Sequence, residues 1–386
     1  MNNTERFSKI ELESKLISKK DRYQLSKKEE KEIKNSFLNK DILISGACGS
    51  IGNFFVRRIF NFSFKNLYLL DKNENDLVEL NRDLSLLNLK KIKKTNFICA
   101  DITSFNLDNF LLENNIQHYY NFAAIKHVRS EENLDSLKYM FKTNCINFCP
   151  KKKNKLKVFF SISSDKAVLP ESFLGISKFF MEEKIASFAM KNKSVFVSTV
   201  RFANVSFSNG SYLKYAKERI EKKKSFGLPL KIKRYFITHN EAISLCLKSL
   251  LKKNKNKIIM PSDKIITKEF KLSSLVKELL KLYGYKIKYS QKILFIRNKL
   301  FPVVVYKKNL EGQKNYEVFY DKNKFNVKYD LDNKTMKIDL ANQLKIESIV
   351  RKLLELKSKQ QIINLVKKKV KKFNPLKKTI KVSKII

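Results

Sequence analysis

The 386-residue chain has no tryptophan, only three histidines, five cysteines, six prolines and eight glycines. The scarcity of histidine argues against a zinc site. Cys145 and Cys149 are four apart, as two residues on one helix face would be, yet no histidine flanks them. With Cys48, Cys99 and Cys246 they make an odd set without paired spacing, which predicts reduced, buried thiols rather than a disulfide framework. Long apolar runs are also missing. Nowhere do about 18 apolar residues follow one another, so no membrane span is expected. The polar start, MNNTERFSKIELESKL, has no signal-peptide core, and the chain reads as cytoplasmic.

Acidic residues are outnumbered 37 to 81 by lysine and arginine, leaving a formal charge of +44. Arginine, the better fork for phosphates and base edges, is scarce; the excess is lysine spread from Lys9 to Lys384. No helix-turn-helix, zinc-finger or RRM signature accompanies it. The charge is read as lysine on solvated faces, with no nucleic-acid partner expected; a polyanion-binding tail is the alternative. Hydrophobic residues at 43% suffice for a buried core.

Residues 1–40 read as a charged helical extension, clearest over Ser26–Leu38. The pattern then changes. Asp41–Ser45 is a short buried strand, followed by Gly46-Ala-Cys-Gly-Ser-Ile-Gly52 and an apolar-periodic helix over Asn53–Phe60. Further strands fit Asn66–Asp71, Asn96–Asp101, His118–Phe122, Val158–Ile162 and Val195–Val200. Helices fit Glu74–Leu87, Phe105–Asn114 and Leu174–Lys191. This alternation predicts an α/β, Rossmann-type doubly wound parallel sheet over 41–200. From Arg201 the pattern is irregular and suggests a smaller substrate-binding lobe over 201–330, interleaved with the first. Residues 331–386 read as a helical region, with Ile346–Leu356 periodic, and a basic tail from Lys367. Another helix fits Ser273–Leu282.

Gly46, Gly49 and Gly52 sit between a strand and a helix. Glycines allow a sharp turn and close approach of a pyrophosphate, and the helix N-terminus behind them offers N–H groups and a positive dipole end. Asp71 ends the next strand about 20 residues on, where it can accept bonds from adenosine ribose hydroxyls. These features predict a nicotinamide dinucleotide site that also uses Ser50, Ile51 and Ala123. Asp71 favours NAD, whereas the adjacent Lys72 could meet the extra phosphate of NADP. Asp101 is placed to reach the adenine edge, or else to cap a turn with Thr103. Lys126 and His127 follow the fourth strand; Lys126 is a substrate candidate and His127 a structural one. Arg201, Asn204 and Arg234 are candidates for a nucleotide diphosphate, with buried structural bridges as the alternative.

The segment Ser163-Ser-Asp-Lys-Ala-Val-Leu-Pro170 follows a buried strand, and Lys178 stands just beyond Leu174-Gly-Ile-Ser177. Here the chain resembles the extended short-chain dehydrogenases/reductases. That family carries Ser/Thr at one strand end and Tyr-x-x-x-Lys on the next helix. Ser164, Asp165, Lys166 and Ala167 match the Ser/Thr-Asp-Lys-Ala signature of its nucleotide-sugar 4,6-dehydratases, the CapD-like polysaccharide-biosynthesis branch. Other similar blocks are Asn121–Glu131, Val200-Arg-Phe-Ala-Asn-Val205, Ser208–Ser211, Ile232–Thr238 and Gly312–Tyr320. Details of these blocks look closest to soluble members serving legionaminic-type acid pathways. One position departs: Leu174 stands where the family has Tyr, or Met in one branch, and leucine cannot exchange a proton.

The resemblance implies a nucleotide-sugar substrate, a tightly bound and recycled NAD or NADP, and a homo-oligomer. Hydride leaves sugar C4, the resulting ketone acidifies C5–H, the C6 hydroxyl leaves as water, and the hydride returns to C6. Lys166 would be the C5 base, its amine neutralised by desolvation, and Asp165 the acid for the C6 oxygen. Ser164 would bond the C4 oxygen and Lys178 would hold the nicotinamide ribose. The alternatives are a nucleotide-sugar C4-epimerase, opposed by the Asp-Lys pair, and a non-catalytic nucleotide sensor, favoured by Leu174.

Overall fold

A computed structural model describes residues 7–126, 131–266, 269–292, 296, 298–306, 317–321, 328–329, 334–340, 344–370 and 373. His127, most of the Gly312–Tyr320 block and the tail beyond Phe373 fall outside these residues. The strands β1 (Asp41–Ser45), β2 (Asn66–Asp71), β3 (Thr95–Cys99), β4 (His118–Asn121), β5 (Val158–Ile162) and β6 (Phe196–Val200) lie parallel in the order β3-β2-β1-β4-β5-β6. Lys257–Pro261 extends the sheet in parallel beside β6. Thr335–Asp339 and Lys328–Tyr329 then close it as antiparallel strands. The C-terminal stretch thus returns a strand to the central sheet, which its helical reading did not foresee.

Period-two side chains sort the two faces. Ile42 and Ile44 of β1 join one apolar cluster with Phe55, Val56 and Ile59. Leu43 joins the opposite one with Tyr119, Phe159, Met181 and Ile185. The first helices are α1 (Lys9–Leu16), α2 (Lys27–Phe37), α3 (Ser50–Ile59), α4 (Glu74–Leu87), α5 (Leu89–Ile92), α6 (Leu107–Glu113), α7 (Leu134–Cys145) and α8 (Phe173–Lys191). Ser26 and Glu29 form the capping box that starts α2. Helix α7 carries no strong sequence signal, yet Leu137, Met140 and Phe141 pack against α8. Ile346–Glu355 and Lys359–Lys369 cover this pair through Val350, Leu353, Ile362 and Val366.

The N-terminal segment is fastened to the rest. The Glu13 carboxylate, buried on α1, accepts from Ser206 Oγ at 2.6 Å and from the His239 amide at 3.1 Å. Arg22 forks onto Glu241. Just after Arg22, the residues Tyr23, Leu25, Ile33 and Phe37 enter the main core. Among the described residues no helix is long and apolar enough to cross a membrane. Four cysteines are buried, but Cys99 is exposed because β3 is the sheet edge.

Candidate active site

The strand order reverses between β1 and β4, and in open α/β sheets ligands bind outside the carboxyl ends at such a point. A cavity of about 250 Å³ lies there, walled by Gly46, Gly49, Asp71, Asp101, Ala123 and Tyr139 among others. Gly46 has φ +70°, and a side chain there would collide with the Ala123 amide. A Cβ on Gly52 would strike the Gly46 carbonyl, so the turn and α3 pack at a distance only glycine allows. Gly49 is the N-cap of α3 and supplies no side-chain cap, which leaves first-turn N–H groups for a ligand. Ser50 Oγ accepts from the Asn209 amide at 2.7 Å and ties the turn to the Ser208–Ser211 block. The Ile51 side chain packs on the core, so only its backbone can serve a ligand.

Asp71 Oδ2 accepts from the Cys48 amide at 2.9 Å and Oδ1 from the Asn73 amide at 3.1 Å, which fixes the carboxylate in the cavity wall. Asp101 caps its turn through the Thr103 amide at 2.8 Å and also accepts from the Tyr139 hydroxyl. Burial raises its pKa, but the Tyr139 and Thr103 bonds and the nearby Lys72 outweigh this and leave it below the usual carboxylate value. Lys72 Nζ reaches Tyr139 Oη at 3.3 Å. Asn144 of α7 holds the Ala123–Lys126 loop by bonding both Ile125 N and Ile125 O at 2.9 Å.

At the end of the neighbouring strand β5, Ser164 Oγ caps the turn Asp165–Ala167 by accepting from the Lys166 amide at 3.2 Å. The turn aims two consecutive side chains at each other. Lys166 Nζ lies 3.3 Å from Oδ1 of Asp165, whose side chain is 3% exposed against 38% for Lys166. Desolvation pulls the Lys166 amine down, but the Asp165 and Glu317 carboxylates more than offset it and raise its pKa. The expected neutral lysine is therefore not the resting form. Lys178 is fully enclosed, donates to the Ile162 carbonyl at 3.3 Å, and is drawn down to about 8 by burial. Desolvation and repulsion from Lys166 and Lys214 bring Lys126 to about 8 as well. Leu174 is 2% exposed within the apolar cluster of α7 and α8.

The diphosphate candidates separate. Arg201 is buried and forks onto Glu182, Nε to Oε1 at 2.8 Å and Nη2 to Oε2 at 2.6 Å, while Nη1 donates to the Phe319 carbonyl at 2.8 Å. The fork onto Glu182 and the bond to Phe319 make it a buried bridge, the alternative to the phosphate reading. Asn204 and Arg234 come together on Glu317: Asn204 Nδ2 bonds the carboxylate and Arg234 Nε lies 3.8 Å away. Tyr235 N also donates to it at 2.7 Å. Burial first, then repulsion from Asp165, raises Glu317 to about 7. Sequence reasoning did not single out Glu317 or Tyr139. The partners of Glu317 stand 113 and 82 residues away, a separation that leaves no local pattern.

The sequence pattern of the family described as "Polysaccharide biosynthesis protein" matches residues 42–339. An uncharacterized membrane protein of Methanocaldococcus jannaschii is 30% identical over 327 residues, 75% of this chain and 92% of its own length. The capsular polysaccharide biosynthesis protein CapD of Staphylococcus aureus is 28% identical over 73% of this chain, but only 49% of CapD is covered. The chain thus spans nearly all of the archaeal relative and about half of the bacterial one. In structure it is similar to Pen from Bacillus thuringiensis, with TM-score 0.62, 20% identity, and 84% and 99% of the two chains covered. It is also similar to the UDP-glucuronic acid 4-epimerase of Bacillus cereus, solved with UDP-glucuronic acid and NAD. There the TM-score is 0.52 and the identity 17%, over 81% and 98% of the chains. These likenesses establish the Rossmann-type fold.

Proposed function

Because the chain belongs to the family of polysaccharide biosynthesis proteins, we propose that it is a nucleotide-sugar 4,6-dehydratase. It would convert an NDP-N-acetylhexosamine to the 4-keto-6-deoxy sugar using a bound nicotinamide dinucleotide. The observation that carries this reading is the Asp165–Lys166 pair at the end of β5, a buried carboxylate 3.3 Å from an ammonium. Elimination needs one acid and one base side by side, and this pair holds one shared proton.

The glycine turn, the uncapped N-terminus of α3 and Asp71 fit a dinucleotide, which when bound accepts a hydride from the sugar and gives it back. At rest the pair is Lys166 ammonium with Asp165 carboxylate. Transfer of one proton across the pair gives neutral Lys166 and protonated Asp165, with no change in net charge. A sugar that expels water from the pair favours that neutral form, because ion pairs lose most on desolvation. Lys166 Nζ then takes the C5 proton while the C6–O bond breaks, and Asp165 supplies the proton that makes the leaving group water. The ion pair is thereby restored. Ser164 is set to bond the C4 oxygen. Leu174 cannot take the C4 hydroxyl proton, and that role passes to Lys178, one helical turn on, in its neutral form, which leaves Lys166 free for the C5 proton. Lys126, Asn204 and Arg234 are the candidates for the nucleotide.

The test is mass spectrometry of products from a panel of UDP- and GDP-N-acetylhexosamines. Loss of one water supports the dehydratase. A C4 epimer of unchanged mass would establish the epimerase instead. No turnover with dinucleotide still bound would favour the non-catalytic reading, to which the buried Leu174 gives some support.

A further inference from the structure

At the adenosine end of the cleft, a chain with net charge +44 keeps three carboxylates, Asp71, Asp76 and Asp101, around one cation, Lys72. We propose that Lys72, Tyr139 and Asp101 make this site selective for a dinucleotide without a 2′-phosphate, so that the chain takes NAD and rejects NADP. The inference rests on the reading of the cleft as a dinucleotide site and sharpens it.

Asp71 ends β2, where the ribose hydroxyls of a dinucleotide lie, and its carboxylate is held by the Cys48 and Asn73 amides. A 2′-phosphate, carrying nearly two negative charges at neutral pH, would meet that carboxylate at close range. A cation beside Asp71 could cancel the repulsion, and among the described residues lining this cavity Lys72 is the only one. Its ammonium is committed elsewhere. Nζ lies 3.3 Å from Tyr139 Oη and 5.2 Å from the centre of the Tyr139 ring. The single Tyr139 proton goes to Asp101, so the hydroxyl can accept from Lys72. Lys72, Tyr139 and Asp101 thus form one chain of hydrogen bonds, donor to acceptor, ending on a carboxylate. That chain draws the lysine across to α7. Asp101 acts here as the terminus that holds Tyr139, and through it Lys72.

The experiment is calorimetric titration of the dinucleotide-free full chain with NAD and NADP at one fixed salt concentration. Like charges brought together at a binding surface cost several kcal/mol, so wild type should bind NAD on the order of 100-fold tighter than NADP. Tyr139→Phe keeps the ring and releases Lys72, and the ratio should narrow about tenfold. Tyr139→Leu, which removes both the hydroxyl and the ring that hold Lys72, should narrow it in the same direction if Tyr139→Phe folds poorly. Adding Lys72→Met to Tyr139→Phe should restore the wild-type ratio. Equal affinity for the two dinucleotides, a preference for NADP, or a ratio that neither variant changes would overturn the inference. Failure of wild type to bind either dinucleotide would instead remove the dinucleotide reading of the cleft, and the two failures are thus told apart.

Discussion

Lys178 offers a quantitative test of how the site trades stability for chemistry. Its amine is enclosed beneath β5, bonded to one carbonyl and faced by Cys145, Glu182, Lys126 and Lys166. Burial is the leading cause of the drop from the usual 10.5 to about 8. That drop corresponds to about 3 kcal/mol of folding free energy withheld at neutral pH. Lys178→Met removes the charge, keeps the stem and forfeits a hydrogen bond worth about 1 kcal/mol. The variant should therefore be about 2 kcal/mol more stable than wild type at pH 7, measured by urea unfolding of dinucleotide-free protein, and it should be inactive. The pH dependence has a definite sign. Below pH 8 folded and unfolded wild type both carry the proton, and the full penalty applies. Between 8 and 10.5 the unfolded chain binds more protons, so wild type gains stability as pH rises and the advantage of the variant shrinks. A variant less stable at pH 7, or an advantage that stays constant up to pH 10, would refute the reasoning.

Gly46→Ala should abolish dinucleotide binding in a fluorescence titration and cost about 1–3 kcal/mol in urea, because φ +70° and the Ala123 amide both oppose a side chain. Lys166→Ala should turn over about 100- to 10,000-fold more slowly. In deuterated water wild type should place solvent deuterium at C5, read by NMR of the product, and the variant should form that deuterated product only at its reduced rate. Arg201→Ala strands the Glu182 carboxylate and should lower unfolding stability by about 3–5 kcal/mol; a loss confined to nucleotide affinity would return Arg201 to the substrate site. Leu174→Tyr forces a larger ring into a 2% exposed position and should cost about 1–3 kcal/mol in thermal or urea melts. Its dehydratase rate should stay within about tenfold of wild type or rise, since a tyrosine hydroxyl adds one proton carrier of the kind Leu174 lacks.

The features legible in the sequence are those that local chemistry dictates. Each buried parallel strand is a short apolar run, as in Asp41–Ser45 and Val158–Ile162, so the run announces the strand without reference to its neighbours. The glycine turn is legible because φ +70° and backbone contact admit no other residue at Gly46 and Gly52. Asp165 and Lys166 are adjacent in the chain, so a single turn is enough to pair them.

Tertiary structure decided wherever a side chain's partner lies far along the chain. Arg201 and Asn204 look alike as diphosphate ligands. Glu182 on α8 engages the first through a fork, and Glu317, 113 residues from Asn204, gathers the second together with Arg234. Glu13 and His239, 226 residues apart, fasten the N-terminal segment to the start of the helix His239–Ser249. Thr335–Asp339 becomes a sheet strand because the exposed edge of Lys257–Pro261 offers it unpaired backbone groups. The pKa of Lys166 follows the same rule: desolvation alone would lower it, and the carboxylates of Asp165 and Glu317 raise it instead. Pattern along a chain reports what each residue prefers to touch. Which groups meet, and how much water is left between them, is settled only when the elements pack, because ion pairing and desolvation depend on distances between distant segments.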